Sequence, residues 1–229
     1  MATATYQVGS EVASRARQTL GTSEGAIYQM VAEALQENQD GRVLVDVGCG
    51  TGQLWSYVGA QFSRYIGIDA VRYDEFAENA EFYLVDLDTG RAALPDECAD
   101  VTVAVETIEH LENPRGFMRE LVRLVKPGGL VIVTTPNQLS LLSLLTLIFK
   151  KRFASFQDVQ YPAHLTALLE VDLERIAAEC GLRDVRINYS RRGRIVFTPW
   201  HYPQFLARAF PRSLSDNLMM VARKSSKQD

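Results

Sequence analysis

The sequence is poor in cysteine and has no long uninterrupted run of apolar residues. Its three cysteines, Cys49, Cys98 and Cys180, are odd in number, far apart and without C-x-x-C spacing. This pattern indicates neither a disulfide framework nor a zinc knuckle. No segment reaches the roughly 18 apolar residues of a membrane-spanning helix, and the first residues lack the basic and apolar regions of a secretion signal. We therefore expect a soluble, cytoplasmic protein.

An excess of basic residues is also absent. The 229 residues include 24 lysines and arginines and 28 acidic residues, which gives a formal net charge of −4. Without a global positive field, nucleic acid is an unlikely partner and a small molecule is favoured. The length and the 47% hydrophobic content suffice for one core, so residues 1–229 are predicted to form a single domain with insertions.

Short apolar runs alternate with helical periodicity after an N-terminal helical arm at residues 1–40. The predicted strands cover residues 43–47, 65–68, 82–85, 101–105, 130–134, 185–189 and 218–222. Strands that alternate with helical crossovers predict an α/β fold with a mostly parallel sheet. The clearest crossover helix starts with Asn113 as its cap and is expected to end at Gly128, and a later helix covers residues 172–180.

Two insertions interrupt this alternation, one at residues 136–165 and one at residues 191–214. Ligands of open α/β sheets bind beyond the carboxyl ends of the strands, so we predict that both insertions form a substrate lid. The second insertion contributes Trp200, Phe205 and Phe210, which suit either an apolar acceptor or closure of the core.

Residues 139–152, LSLLSLLTLIFKKR, form a very apolar segment within the first insertion. On a helix, Ser140, Ser143, Thr146 and Lys150 make one narrow polar stripe, and the rest of the circumference is apolar. Four interpretations are open: burial within the protein, cover for a hydrophobic acceptor pocket, a homodimer contact, or peripheral membrane contact with the basic residues at headgroups.

The most informative motif is VLVDVGCGTGQ, residues 43–53, which predicts a strand, a tight turn and a helix start. Gly48, Gly50 and Gly52 allow positive φ and close approach of a ligand, while the following helix is expected to present free N–H groups. The G-x-G-x-G spacing differs from the G-x-G-x-x-G of dinucleotide sites, which makes a pyrophosphate the weaker hypothesis.

Acidic residues end the first two strands beside this turn. Asp46 either caps the turn or holds a cationic amino group of the ligand. Asp69, at the end of the second strand, is placed to accept both hydroxyls of a ribose, as in nucleotide sites generally. Together they favour an adenosine-containing ligand without separating a nicotinamide dinucleotide from S-adenosylmethionine (SAM).

The glycine turn, the acidic strand ends and the segment LVRLVKPGGLVIVTTPN together resemble the class I SAM-dependent methyltransferases. The resemblance covers residues 43 to about 135, and more loosely the whole chain. It implies a Rossmann-like seven-stranded sheet with helices on both faces and the last strand antiparallel, and SAM as the methyl donor. It also implies that Asp86 accepts from the adenine amino group, with Leu87 against the ring and Asp88 as a competing candidate.

The resemblance therefore assigns a set of cofactor-binding residues from the ends of the first four strands. They are Asp46, Gly48, Cys49, Gly50, Thr51, Gly52, Gln53, Asp69, Ala70, Asp86, Leu87, Val105 and Glu106.

The fourth strand ends in VETIEHLENP, which places Glu106, Glu109 and His110 near the expected methyl group. Two carboxylates and an imidazole this close shift each other's pKa unless a positive charge lies between them. The same spacing resembles ubiquinone-pathway O-methyltransferases and small-RNA 2′-O-methyltransferases, where the cluster and a later histidine, here His164, are associated with a metal. Such ligands suit Mn²⁺, Fe²⁺ or Zn²⁺ better than Mg²⁺, which is not excluded.

Two metal-free interpretations are also open. In one, the catalytic residues are His110 as a general base, Glu109 as its orienting partner, and His164. In the other, Glu106 borders the amino-acid end of the cofactor while Glu109 and His110 cap the next helix. We predict methyl transfer to a hydroxyl oxygen of a small or lipid-like acceptor. An RNA 2′-O-methyltransferase and a non-catalytic SAM-binding or scaffold protein are the alternatives.

Overall fold

The computed structural model describes residues 9–38, 42–78, 80–196 and 198–226. The first residues of the predicted arm, 1–8, lie outside this description. The helices are α1 Ser10–Gln18, α2 Gly25–Asn38, α3 Trp55–Val58, α4 Pro114–Leu124, α5 Leu141–Lys150, α6 Glu170–Glu179 and α7 Gln204–Ala209. The strands are β1 Val43–Val47, β2 Arg64–Asp69, β3 Glu81–Leu84, β4 Ala99–Ala104, β5 Val125–Pro136, β6 Leu182–Tyr189 and β7 Asn217–Lys224.

The strands form one seven-stranded sheet in the order β3-β2-β1-β4-β5-β7-β6. Strands β1 to β5 pair in parallel, and β7 runs antiparallel to both β5 and β6. This arrangement confirms the predicted α/β fold and its antiparallel last strand. The strand order reverses at β1 and β4, which is where ligands bind in open α/β sheets.

Apolar side chains pack on both faces of the sheet, because successive residues of a strand point to opposite sides. Along β1, Leu44 joins one cluster with Leu35 of α2, whereas Val45 joins the other with Phe117 of α4 and Leu173 of α6. The prediction of helices on both faces is confirmed.

Helix α4 begins as predicted, with the Asn113 side chain accepting from the Gly116 N–H at 2.8 Å. The predicted end at Gly128 is wrong, since the helix stops at Leu124 and Val125 already belongs to β5. The backbone of Val125 pairs with the neighbouring strand β4, and the lysine-proline-glycine-glycine turn follows within the strand. Sheet pairing therefore ends the helix earlier than the glycine would.

Helix α5 confirms the predicted helix but not the burial of its apolar face. Its polar Ser143 is only 2% exposed, whereas Ile148 and Phe149 are 60% and 69% exposed. The reason is that the Ser143 hydroxyl accepts from the Ala154 N–H at 3.2 Å and donates to the Gln138 side chain at 3.4 Å. Within the described residues, no helix is long and apolar enough to cross a bilayer.

Candidate active site

A cavity of about 870 Å³ lies beyond the carboxyl ends of β1, β2 and β4. This volume is in the upper part of the range for small-molecule sites. Most of the predicted site residues line it: Asp46, Gly48, Cys49, Gly50, Asp69, Ala70, Leu87, Val105, Glu106, Glu109, His110 and His164. The described residues Thr51, Gly52, Gln53 and Asp86 are not among its lining.

The N–H groups of residues 48–52 are all engaged by the chain itself. The N–H groups of Gly48 and Cys49 donate to the Ile68 carbonyl, and the Gly52 N–H donates to the Cys49 carbonyl. The Gly50 N–H donates to the Asp69 carboxylate, and the Thr51 N–H donates to the Gly21 carbonyl. All five bonds are 2.7 to 3.2 Å long. The expectation of free N–H groups at a following helix start is wrong, because α3 begins only at Trp55 and has four residues. A loop whose donors are occupied is poorly suited to a pyrophosphate.

At the glycine turn, the groups that approach the glycines closely belong to other segments of the protein. Gly48, Gly50 and Gly52 have φ values of +79°, +52° and +76°, as predicted for a tight turn. A Cβ at Gly50 would lie 2.1 Å from the Gly21 carbonyl oxygen, and one at Gly48 would lie 2.2 Å from the Thr107 hydroxyl. These glycines therefore allow the N-terminal arm and the β4 end to close on the turn.

The N-terminal arm forms one wall of the cavity, which the sequence did not reveal. Its lining residues run from Val12 to Glu24. The Tyr73 hydroxyl donates to the Ala16 carbonyl at 2.6 Å, and Arg15 pairs with Asp88 at 3.1 Å. Gly21 takes a left-handed conformation where the arm meets the glycine turn.

Two buried carboxylates face the cavity from β1 and β2. The Asp46 Oδ2 accepts from the Tyr65 hydroxyl at 2.6 Å, and its Oδ1 has no hydrogen-bond partner among the described residues. Burial, followed by the charge of Asp69, raises the pKa of Asp46 to about 7. The Asp69 oxygens accept from Gly50 at 2.8 Å and Val71 at 3.2 Å, and burial raises the pKa of Asp69 as well. The unpartnered oxygen on Asp46 fits a donor on a bound ligand.

The raised pKa of Asp46 gives a stability prediction. Because the folded pKa of Asp46, about 7, lies above the ordinary aspartate value of 3.8, this group's contribution to stability is present below the unfolded pKa and is lost as the pH rises through 7. We expect Asp46→Asn to gain unfolding free energy relative to the unaltered protein between about pH 4 and about pH 8, by at most about 4 kcal/mol. Urea unfolding at both pH values without SAM measures this difference, and a pH-independent difference would contradict it.

The residues that follow β3 differ in their contacts from the sequence-based assignment. Leu87 lines the cavity, whereas the Asp86 carboxylate accepts from the Asp88 N–H at 3.0 Å. Asp88 accepts from the N–H groups of Glu112 and Asn113 at 2.7 and 3.0 Å. Asp88 therefore has a capping role, and adenine recognition by Asp86 stays a prediction.

Glu106 is held by hydrogen bonds from two neighbouring strands. Its two carboxylate oxygens accept from the Thr134 hydroxyl at 3.0 Å and from the Asn217 amide at 2.7 Å. Burial raises its pKa well above the ordinary value, with the charge of Glu109 adding to the rise. Its φ of 48° is unusual for a residue with a side chain, so the surroundings hold Glu106 in a strained backbone conformation.

Glu109, His110 and His164 come together as the sequence predicts. Candidate ligand atoms from these three residues lie within 4.8 Å of one another, and the two imidazole rings meet edge to face with centroids 4.7 Å apart. His164 comes from the first insertion, whose backbone is fixed there because Leu165 and Thr166 donate to the Glu109 carbonyl at 2.9 and 3.0 Å.

Electrostatics leaves both histidines neutral at neutral pH. Burial lowers the pKa of His110, and burial followed by the charge of His110 lowers the pKa of His164 to about 4. The His110 Nδ1 lies 2.8 Å from the Ala163 carbonyl, and since a carbonyl only accepts, Nδ1 carries the proton and Nε2 keeps its lone pair. Burial raises the pKa of Glu109 to about 8.

The donor set of these three residues fits a divalent cation. The Glu109 Oε1 and the His164 Nδ1 are buried and have no hydrogen-bond partner among the described residues. One carboxylate and two neutral imidazoles match the preferences of Mn²⁺, Fe²⁺ and Zn²⁺. The structure does not bring the fourth predicted ligand, Glu106, into this group.

The aromatic residues of the second insertion lie elsewhere. Trp200, Phe205 and Phe210 are 73%, 70% and 61% exposed and do not line the cavity. They neither close the core nor contact the space for an acceptor. His201 forms an isolated bridge with Arg194 and takes no part in the histidine pair.

Comparison with known proteins agrees with this architecture. A family model described as a methyltransferase domain matches residues 21–187. The chain is 34% identical over 119 residues to a probable S-adenosylmethionine-dependent methyltransferase of Mycolicibacterium smegmatis, covering 49% of this chain and 45% of that protein. It is 30% identical over 125 residues to the mitochondrial ubiquinone biosynthesis O-methyltransferase of Rattus norvegicus, covering 50% and 36%.

A solved structure supports the fold alone. A SAM-dependent methyltransferase from Archaeoglobus fulgidus superposes with a TM-score of 0.61 at 19% identity, covering 91% of this chain and 97% of that one.

The fold and the cavity define a Rossmann-like α/β domain with a cavity of small-molecule size at the carboxyl ends of its strands. Because the family model spans most of its length, the chain belongs to the methyltransferase-domain family, and SAM is the cofactor that this membership implies. The chain spans less than half the length of the Mycolicibacterium and rat proteins that it matches.

Proposed function

We propose that this chain is a SAM-dependent methyltransferase that methylates a hydroxyl oxygen of a small or lipid-like acceptor. The observation that carries the proposal is the position of His110 in the cavity wall, with Nδ1 at 2.8 Å from the Ala163 carbonyl, which makes Nδ1 the protonated nitrogen of the neutral ring. This tautomer leaves the Nε2 lone pair for a proton from the acceptor.

The cavity offers a matching group for each part of the cofactor. The unpartnered Oδ1 of Asp46 would accept from the amino group, Asp69 from the ribose hydroxyls, and Leu87 would pack on the adenine. When bound, SAM supplies a methyl group made electrophilic by its sulfonium. The arm and the first insertion line the same cavity, so they exclude water from the reacting groups.

His110 would act as the general base. A neutral imidazole accepts the hydroxyl proton as the oxygen attacks, and such a base typically contributes about a hundredfold to ten-thousandfold in rate. His164, edge to face with His110, would fix the orientation of the ring. Positioning of the acceptor in line with the methyl group supplies the remaining acceleration.

The cavity rim favours an acceptor with an apolar part. Val159 and Tyr161 line the cavity and are 84% and 71% exposed. Relatives named as ubiquinone biosynthesis O-methyltransferases support oxygen as the methylated atom. The acidic balance of the chain disfavours the alternative of an RNA acceptor.

The test uses methyl-labelled SAM with phenols of increasing alkyl chain length, matched primary amines and a short RNA. We expect label in the phenols, with kcat/KM rising with chain length. Transfer to the amines or the RNA alone would contradict oxygen methylation of a lipid-like acceptor. Tight SAM binding without transfer to any acceptor in the panel would favour a binding protein.

A metal site is the second candidate use of the same His110 lone pair: Glu109, His110 and His164 would hold a divalent cation, and Lewis-acid polarisation of the acceptor oxygen would then replace general-base catalysis by His110. Calorimetry with Mn²⁺ or Zn²⁺, without SAM or acceptor, is expected to detect one site. Glu109→Gln and His164→Ala should each weaken it at least about tenfold, because each removes a ligand. Glu106→Gln should not, since Thr134 and Asn217 hold that carboxylate. Equal loss in all three variants would contradict the assignment.

A further inference from the structure

An apolar surface lies on the outer side of α5, which we call the α5 surface. It consists of Leu141, Leu144, Ile148 and Phe149, whose side chains are 39%, 38%, 60% and 69% exposed. The helix is fixed in this orientation by the inward Ser143 and by the Leu141 N–H, which donates to the Ser213 carbonyl at 2.8 Å. The exposure is therefore a property of the fold.

Basic residues directly follow this surface in the chain, and the insertions that contain and adjoin it are rich in basic residues. The two insertions, 136–165 and 191–214, contain eight lysines and arginines and one acidic residue, whereas the whole chain has a net charge of −4. Lys150 and Lys151 follow Phe149 directly and are exposed. An exposed apolar helix face that ends in basic residues is the pattern of a helix lying in a membrane interface.

We infer that the α5 surface docks on an anionic lipid membrane. Ile148 and Phe149 would enter the boundary between headgroups and acyl chains, and the two lysines would contact lipid phosphates. A second copy of the chain is a poorer occupant. An isologous contact places the same patch on both copies, so two copies of the same basic insertions would face each other without complementary charge.

The same insertion connects this surface to the cavity. Val159 and Tyr161, which follow α5 in the chain, are exposed and line the cavity. Docking through α5 would thus hold one rim of the cavity near the bilayer. The inference goes beyond the proposed function, since membrane docking does not depend on which atom accepts the methyl group.

The test is flotation of the full chain with vesicles of phosphatidylcholine, with and without phosphatidylglycerol. We expect binding only to vesicles that contain phosphatidylglycerol. Lys150→Gln with Lys151→Gln should weaken it about twenty-five-fold, at about fivefold for each basic residue near an anionic surface. Ile148→Ser with Phe149→Ser should weaken it at least about tenfold.

Matched control variants distinguish a specific effect of the α5 surface from the general effect of losing any exposed charge or apolar side chain. Arg119→Gln with Arg175→Gln removes the same charge from exposed positions on α4 and α6, and Val171→Ser removes an apolar side chain that is 39% exposed. Both should bind vesicles like the unaltered chain. SAM binding and thermal unfolding show that each variant is folded. Absence of vesicle binding overturns the inference, as does a dimer that Phe149→Ser dissociates.

Discussion

Replacing His110 with alanine is expected to lower kcat about a thousandfold for the phenol that the unaltered protein methylates best. The affinity for SAM should change little, because the proposed cofactor contacts come from Asp46, Asp69 and Leu87. The loss in kcat follows from removal of the one lone pair that the tautomer of His110 leaves in the cavity wall. Single-turnover transfer of labelled methyl, with calorimetric SAM binding, separates the two quantities.

Comparison with His164→Ala, Glu109→Gln and both double variants with His110→Ala decides how His110 acts. If it is a base, His164→Ala should cost only about tenfold, since His164 orients the ring. If the three residues act as one metal site, every single variant should cost nearly as much as the doubles. His201→Ala is the matched control, because His201 lies outside the cavity. Undiminished turnover of His110→Ala would remove its proposed role in both cases.

Asp69→Ala is expected to weaken SAM binding at least about a hundredfold. The Asp69 carboxylate accepts from Gly50 and Val71 and still has lone pairs for two ribose hydroxyls. Hydrogen bonds to a charged group are worth about 1.5–3 kcal/mol each, so loss of two accounts for this factor. Calorimetry with SAM and with its demethylated product measures the effect.

Asp100 offers a matched control for the structural part of this loss. Its carboxylate also accepts two backbone N–H bonds, from Arg42 and Val43 at 2.9 Å. It lies near the amino end of β4, at the other end of the strand from the cavity, and does not line the cavity. Asp100→Ala should therefore lower stability in a similar way while SAM affinity stays nearly unchanged. Equal loss of affinity in both variants would mean that Asp69 acts only through the fold.

The sheet and the glycine turn could be predicted because local pattern determines them. The run VLVDV is nearly continuously apolar, as is typical of a strand buried on both faces, and the glycines that follow adopt positive φ. Glu109 and His110 were predicted together from their spacing at the end of β4, whereas His164 was added through the resemblance to metal-associated O-methyltransferases. The structure brings the three together because the carboxyl end of β4 and the loop after β5 meet at one sheet edge.

Other features depend on contacts that are distant in sequence. Glu106 is drawn out of the metal group by Asn217, which is 111 positions away. The orientation of α5 depends on Ser143 bonding to Ala154, and amphipathic periodicity gives the two faces of a helix without saying which one is inward. The docking of the arm depends on Gly21 meeting the turn, and no local signal gave its position.

The contact between the arm and the glycine turn links docking of the arm to binding of the cofactor. The Gly21 carbonyl accepts from both the N–H and the hydroxyl of Thr51, at 2.9 and 3.3 Å, while Ala16 is held by Tyr73. If a ligand is enclosed between the arm and the sheet, the docked arm increases the affinity for that ligand. By linkage, the bound ligand raises the free energy of undocking the arm by the same amount. Proteolysis of residues 10–24 would consequently slow on saturation with cofactor. Undocking of this segment would also limit the rate at which the demethylated cofactor dissociates.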